Sequence, residues 1–137
     1  MPGGLYVDTS AVLRATLESG TTPEVEARIS AAEALITSRL ALVESARALV
    51  RARELERISD VQRADVQRQL DELWARCHVW EVSRSICDQA SVVAPGTGLR
   101  TLDAIHLATF LEARRKLGTD LELLTTDERL RVALSAP

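Results

Sequence analysis

Among the 20 acidic residues of the chain, four stand apart because each lies among apolar residues or at the end of a predicted element. This acidic set is Asp8, Glu44, Asp103 and Asp127. Two like charges about 4 Å apart repel by roughly 4 kcal/mol at an effective dielectric constant near 20, so a cluster of carboxylates needs a partner. A divalent cation removes that repulsion, and ligands made only of oxygen suit Mg²⁺ or Mn²⁺. Such ions position phosphate oxygens and activate water, so phosphodiester hydrolysis is the chemistry that this set fits best.

Each acid also has an ordinary structural interpretation. Asp8 and Asp127 each follow a short apolar run and can cap the helix that comes next. Asp103 falls in the first turn of a predicted helix, where the helix dipole favours an anion by about 0.3–1 kcal/mol. Glu44 taken alone reads as a surface glutamate, although small neighbours on its helix face leave room for it to point inward. Only the joint placement of the four acids indicates a site.

Short apolar strands alternating with helices would position these acids. Strands are predicted at 5–7, 34–37, 78–82 and 121–124, and helices at 10–18, 22–32, 39–57, 60–75, 84–94, 101–117 and after Asp127. The alternation favours an α/β fold with a mainly parallel sheet and helices on both sides. Thr9 or Ser10 can cap the first helix. Ligand sites in such sheets lie beyond the carboxyl ends of the strands, and Asp8 and Asp127 both follow strand ends.

Composition limits the classes of function. The 137 residues fit one domain over 1–137, and a chain that is 46% hydrophobic but only 3% aromatic needs an aliphatic core. The net charge of −3 lacks the basic footprint of many nucleic-acid-binding domains, although a local basic patch stays compatible with it. Nothing indicates a signal peptide or a membrane span, which needs about 20 apolar residues. Cys77 and Cys87 lack metal-type spacing, so we expect two core thiols in a reduced, cytoplasmic protein.

Four segments of the chain carry a family resemblance. They are YVDTSAVL at 6–13, LVESARAL at 42–49, RTLDAIHLATFLEA at 100–113 and LLTTDERL at 123–130. In order, spacing and flanking residues they resemble the PIN domain, most closely that of the VapC-type toxins of toxin–antitoxin pairs. The resemblance spans nearly the whole chain and implies a three-layer α/β/α sandwich.

This resemblance implies a metal-dependent endoribonuclease whose acidic set forms the catalytic residues and binds Mg²⁺ or Mn²⁺. Thr9, Ser10 and Thr126 would hold those ligands or position water. The implied reaction is attack of water on an RNA phosphorus, which leaves a 5′-phosphate and a 3′-hydroxyl. The resemblance also implies a homodimer, and an antitoxin protein with a segment that blocks the acidic cleft.

Other interpretations stay open from the sequence. One is a PIN-fold binding or scaffold module without catalysis, and another is a solitary PIN nuclease without an antitoxin. The full acidic set argues against the first, because an inactive copy would be free to lose it. His106 reads as a packed or hydrogen-bonded histidine or as a base, and Arg100 and Arg129 as phosphate contacts or ordinary surface residues. A dehalogenase-type phosphatase would need a second aspartate where Ser10 stands.

Overall fold

Helices and strands alternate along the computed structural model, which describes residues 3–118 and 120–135. The elements in chain order are β1 (Gly4–Val7), α1 (Thr9–Ala15), α2 (Pro23–Ala31), β2 (Ala34–Ser38), α3 (Arg39–Glu54), α4 (Asp60–Arg76), β3 (Cys77–Trp80), α5 (Arg84–Ala90), α6 (Thr101–Leu117), β4 (Glu122–Leu124) and α7 (Glu128–Ser135). The predicted strands and helices are therefore confirmed in kind and order. None of the described helices combines the length and apolarity needed to cross a membrane.

The four strands form one sheet in the order β3-β2-β1-β4, and every pair is parallel. In the centre of this sheet, Leu5 of β1 lies opposite Leu35 of β2 and Glu122 of β4. Because β1 and β4 are neighbours and parallel, their carboxyl ends meet at the same edge. Asp8 therefore comes next to the residues that follow β4, and its backbone N–H donates to the carbonyl of Leu124 at 3.4 Å.

Two apolar clusters pack against opposite faces of the sheet, which makes the fold a three-layer α/β/α sandwich. Successive side chains of a strand point to opposite faces. Leu5 and Val7 accordingly join a cluster with residues of α1, α2, α3 and α4. Tyr6 and Ile36 face the other way and pack with residues of α6 and α7. The predicted fold class is confirmed.

Some element boundaries differ from the prediction for local backbone reasons. The helix predicted over 39–57 ends earlier, because Glu56 has a positive φ of 55° and the N–H of Arg57 turns back to the carbonyl of Ala52 at 2.9 Å. The helix predicted over 84–94 ends at Ala90, and Ala94 beyond it has a φ of 48°. β3 covers Cys77–Trp80 rather than 78–82.

The first helix is capped by Asp8 rather than by Thr9 or Ser10. The Oδ1 atom of Asp8 accepts a hydrogen bond from the backbone N–H of Ala11 at 3.0 Å. Thr9 and Ser10 lie inside α1, so their hydroxyl groups are free to contact other side chains. Capping and membership of a site are thus compatible for Asp8.

The cysteines differ from each other in burial. Both are free thiols, and Cys77 is half-buried whereas Cys87 is exposed. Burial raises the pKa of Cys77 to about 11. The prediction of two core thiols is therefore wrong for Cys87, which lies on the outside of the short helix α5.

Candidate active site

Asp8 is a buried carboxylate at the end of β1, with an exposed fraction of only 3%. Its Oδ1 accepts hydrogen bonds from the Ser10 hydroxyl at 2.7 Å and from the Ala11 N–H. Its Oδ2 accepts a hydrogen bond from the Thr125 hydroxyl at 2.5 Å. A carboxylate is tolerated in such surroundings only with partners of this kind, and these three fix its orientation.

Thr125, which was not predicted from the sequence, is the threonine after β4 whose side chain supports Asp8. Its hydroxyl donates to Asp8 and accepts a hydrogen bond from the backbone N–H of Asp127 at 3.0 Å. Thr126, the residue expected in this role, contributes its backbone N–H to the Ser10 hydroxyl at 2.9 Å. The strand register identifies the right residue, because Val7 lies opposite Leu124 and the next pair is therefore Asp8 with Thr125.

Glu44 reaches the site from α3, with a quarter of its side chain exposed. The Thr9 hydroxyl donates to its Oε1 at 2.5 Å, and Nε2 of His106 lies 2.8 Å from the same oxygen. Burial raises the pKa of Glu44, but the hydrogen bonds from His106 and Thr9 outweigh burial, so the pKa is lower than usual. Glu44 is therefore ionised at neutral pH.

His106 of α6 is buried where it contacts Tyr6 of β1 and Glu44 of α3, and its exposed fraction is 2%. Its Nδ1 lies 2.9 Å from the hydroxyl of Tyr6, and its Nε2 faces Glu44 and lies 3.1 Å from the Thr9 hydroxyl. The interpretation as a packed, hydrogen-bonded histidine is confirmed. The sequence analysis missed Tyr6, although a signal was present: it is the only tyrosine of the chain and lies in an otherwise aliphatic strand.

Three members of the acidic set line one cleft of about 640 Å³, namely Glu44, Asp103 and Asp127. Asp8 lies buried behind them. Burial and the neighbouring carboxylate of Asp127 raise the pKa of Asp103, with further contributions from Asp8 and Glu44, while His106 opposes the increase. The other three acids of the set therefore all act electrostatically on Asp103.

Asp127 shapes the turn between β4 and α7. Its Oδ1 accepts a hydrogen bond from the backbone N–H of Arg129 at 2.9 Å. The backbone N–H of Arg131 donates to the carbonyl of Asp127 at 3.1 Å, which begins the helical pattern. As with Asp8, the predicted capping role and a position in the cleft coexist.

The acidic set suits a divalent cation in donor type and charge, but it is not gathered into a finished coordination shell. Within residues 3–118 and 120–135, no three His, Cys, Asp or Glu side chains are close enough together to hold one ion. Both oxygens of Asp8 already accept hydrogen bonds. The repulsion that raises the pKa of Asp103 is what a cation in the cleft would relieve.

One basic residue belongs to the cleft itself. Arg100 is exposed, lines the cleft and directly precedes α6. Within the described part of the chain it forms no ion pair, whereas six other arginines do. Arg129 is exposed beside Asp127 and also lacks an ion pair among the described residues.

Comparison with known sequences gives a consistent family. The model of the PIN domain matches residues 5–133. Ribonuclease VapC45 from Mycobacterium tuberculosis is 31% identical over 108 residues, which cover 78% of this chain and 74% of the relative. Ribonuclease VapC46 from the same species is 32% identical over 130 residues, which cover 94% of this chain and 88% of the relative.

Solved structures agree at the level of the fold. PAE2754 from Pyrobaculum aerophilum superposes with a TM-score of 0.66 at 23% identity, over 95% of this chain and 78% of its own. A toxin–antitoxin complex from Klebsiella pneumoniae contains a chain that superposes with a TM-score of 0.62 at 22% identity, over 90% of this chain and 86% of its own. The sequence matches show that the chain belongs to the PIN domain family, among its VapC-type members.

Proposed function

We propose that this chain is a metal-dependent endoribonuclease that acts as the toxin of a toxin–antitoxin pair. The observation that carries this proposal is the cleft lined by the carboxylates of Glu44, Asp103 and Asp127, and the raised pKa of Asp103, to which the other three acids contribute, supports it. A cleft with that much negative charge favours a cation, and a cation can then bind a phosphodiester. The ribonuclease names of the VapC relatives support RNA as the substrate.

The ion would be Mg²⁺ or Mn²⁺, held by the acidic set. When bound, such an ion supplies Lewis-acid activation of the phosphate and of the attacking water. Asp8 and Glu44 are already oriented by hydrogen bonds from other side chains. Asp103 and Asp127 line the open cleft and complete the set.

The chain's own residues assign the remaining parts of the reaction. The cleft is lined by three carboxylates, which can orient and activate a water molecule, so we propose water as the nucleophile. Arg100 also lines the cleft, and we propose that it binds a phosphate of the RNA, for which the guanidinium group is well suited. The products we propose are a 5′-phosphate and a 3′-hydroxyl.

The first test compares RNA cleavage by Asp8→Asn, Asp103→Asn and the control Asp88→Asn. Asp88 is an exposed aspartate of α5, outside the cleft. We expect the two site variants to lose at least about 100-fold in kcat, a loss typical of removing one stabilising group. Asp88→Asn should cleave at the wild-type rate. Wild-type cleavage by Asp103→Asn would overturn the catalytic assignment.

The second test measures the metal directly by thermal unfolding. A ligand that binds only the folded state stabilises it by about 2.7 kcal/mol at a concentration 100 times its Kd. Titration with Mg²⁺ or Mn²⁺ should therefore raise the Tm of the wild-type protein, and raise that of Asp103→Asn much less. Unchanged Tm at millimolar metal, together with RNA cleavage in EDTA, would contradict metal dependence.

The partners we propose are an antitoxin and a second copy of this chain. The structurally similar chain from Klebsiella pneumoniae belongs to a toxin–antitoxin complex. A cleft lined by carboxylates can also bind an arginine of a partner segment in a bidentate pair. The product of an adjacent reading frame should suppress RNA cleavage when it is added in equimolar amount. Light scattering of the purified chain should give the mass of a dimer.

A further inference from the structure

We propose that His106 is a positioning residue for Glu44, that Glu44 in turn selects the ring tautomer with hydrogen on Nε2, and that Tyr6 holds the other nitrogen of the ring. His106 does not line the cleft, so it acts on the reaction through Glu44. The effect on catalysis rests on the proposed function, whereas the tautomer is a property of the metal-free protein and can be tested without RNA.

The ring of His106 is held at both nitrogens and along its edge. Nδ1 lies 2.9 Å from the Tyr6 hydroxyl and Nε2 lies 2.8 Å from Oε1 of Glu44. The rings of Tyr6 and His106 meet edge to face, with centroids 6.1 Å apart and planes at 80°. Phe110 packs against Tyr6 in the same manner at 5.9 Å. These contacts favour the orientation in which Nδ1 faces Tyr6 and Nε2 faces Glu44.

The partners decide which nitrogen carries the hydrogen. A carboxylate can only accept, so the nitrogen that faces Glu44 must be the donor. The hydroxyl of Tyr6 can donate to the other nitrogen, which lies 2.9 Å away, because a phenol hydroxyl can be either donor or acceptor. Hydrogen on Nε2 satisfies both Glu44 and Tyr6, whereas the tautomer with hydrogen only on Nδ1 would direct a lone pair at Glu44.

The two donors on Glu44 converge on the same oxygen. Both the Thr9 hydroxyl and Nε2 of His106 contact Oε1. Among the described residues, no side chain contacts Oε2 by a hydrogen bond, so this oxygen is left for the cleft that Glu44 lines. The geometry thus anchors one oxygen and presents the other. Without this anchor, the flexible glutamate would distribute over several rotamers.

Two substitutions separate the roles of the two nitrogens. The amide nitrogen of His106→Gln can replace Nε2 and keep the bond to Glu44, whereas that of His106→Asn replaces only Nδ1. Removing a group that orients a metal ligand typically costs about 10–100-fold in activity or metal affinity. We expect a loss of this size in kcat for His106→Asn, with little change in KM because His106 does not touch RNA. His106→Gln should retain most of the activity.

The exposed histidine of β3 supplies the matched control. His78→Asn makes the same chemical change outside the site and should leave kcat unchanged. Equal losses for His106→Asn and His106→Gln would overturn the proposal, because a merely structural histidine does not distinguish its two nitrogens in this way.

A double-mutant cycle tests whether His106 acts through Glu44. The Glu44→Ala variant has no carboxylate to position. Adding His106→Asn to it should therefore reduce kcat and metal affinity no further than Glu44→Ala alone does. Groups that act as a unit show such non-additivity, whereas independent sites add. Additive losses would show that His106 affects the reaction by another route and would overturn the proposal.

The tautomer is measured by long-range ¹H–¹⁵N NMR of the metal-free protein at mildly alkaline pH. His106 should show one hydrogen-bearing nitrogen, Nε2, and should keep it in Tyr6→Phe, whereas Glu44→Ala should give a mixture of the two tautomers. A ring protonated only on Nδ1 would overturn the proposal. If the chain cleaves no RNA at all, the proposed function fails, but this spectrum still decides whether Glu44 selects the tautomer of His106.

Discussion

Asp8 shows how a single carboxylate can end one element, begin another and face a site. Its Oδ1 caps α1, and its Oδ2 accepts the hydroxyl of Thr125 at the end of β4. A capped helix start is also a favourable place for negative charge, because the dipole and free N–H groups point toward it. The structural and functional interpretations of Asp8 therefore describe one set of contacts.

Asp103 illustrates the opposite case, a residue whose charge the folded protein disfavours. Its raised pKa means that the folded state binds more protons than the unfolded state between the ordinary and the raised pKa. The free energy of unfolding therefore falls as pH rises through this window. Asp103→Asn should stabilise the metal-free protein at neutral pH, by at most about 1 kcal/mol because solvent screens the half-exposed group. Below about pH 4 the gain should vanish.

Urea unfolding in EDTA across this pH range measures the effect, with Asp88→Asn as the control that should change little. The helix dipole acts in the other direction, because Asp103 lies in the first turn of α6 and an anion is favoured there. A less stable Asp103→Asn protein at neutral pH would mean that the dipole outweighs burial and repulsion.

At the scale of elements, local patterns predict much of the fold but not its long-range contacts. Short apolar runs and helical spacing identify β1, β4 and α6, together with the acid that each element carries. The bond between Thr125 and Asp8, however, joins residues 117 positions apart, and that between Tyr6 and His106 joins residues 100 apart. Such contacts depend on strand order and register, which no local pattern contains. The acidic set could therefore be proposed from the sequence, as could Thr9 and Ser10, which donate to Glu44 and Asp8, whereas the contacts of Thr125 and Tyr6 could not.

The N-terminus of α4 lies outside the cleft and is stabilised by a capping box. The Ser59 hydroxyl accepts the N–H of Gln62 at 3.1 Å, and the Gln62 side chain accepts the N–H of Ser59 at 2.8 Å. Ser59→Ala removes this capping box and should cost about 1 kcal/mol of unfolding free energy. Ser59→Thr should lose much less. Urea denaturation measures both variants.

RNA cleavage by the folded Ser59→Ala protein should equal that of the wild type, because α4 contributes no residue to the lining of the cleft. A large loss of cleavage without a loss of stability would show that α4 takes part in substrate binding.

At the scale of the whole molecule, charge poses a problem for RNA binding. The chain has a net charge of −3, and its cleft is lined by three carboxylates. Six arginines are paired with carboxylates elsewhere on the described surface, which leaves them less free to bind phosphate. RNA must therefore approach through a local arrangement of positive charge rather than through a general attraction. Arg100, which lines the cleft, is the best-placed side chain for this contact.

The salt dependence of RNA binding tests this argument. Each phosphate contact to a single strand contributes about 0.7 to the slope of log K against log salt concentration, because it releases a bound counterion. Arg100→Gln should weaken binding and reduce the slope by about that amount. Fluorescence anisotropy in an Asp8→Asn background measures it, since the RNA then stays intact. Arg63→Gln changes an exposed arginine of α4 and should leave the slope unchanged. Equal slopes for both variants would mean that RNA passes the cleft without contacting Arg100.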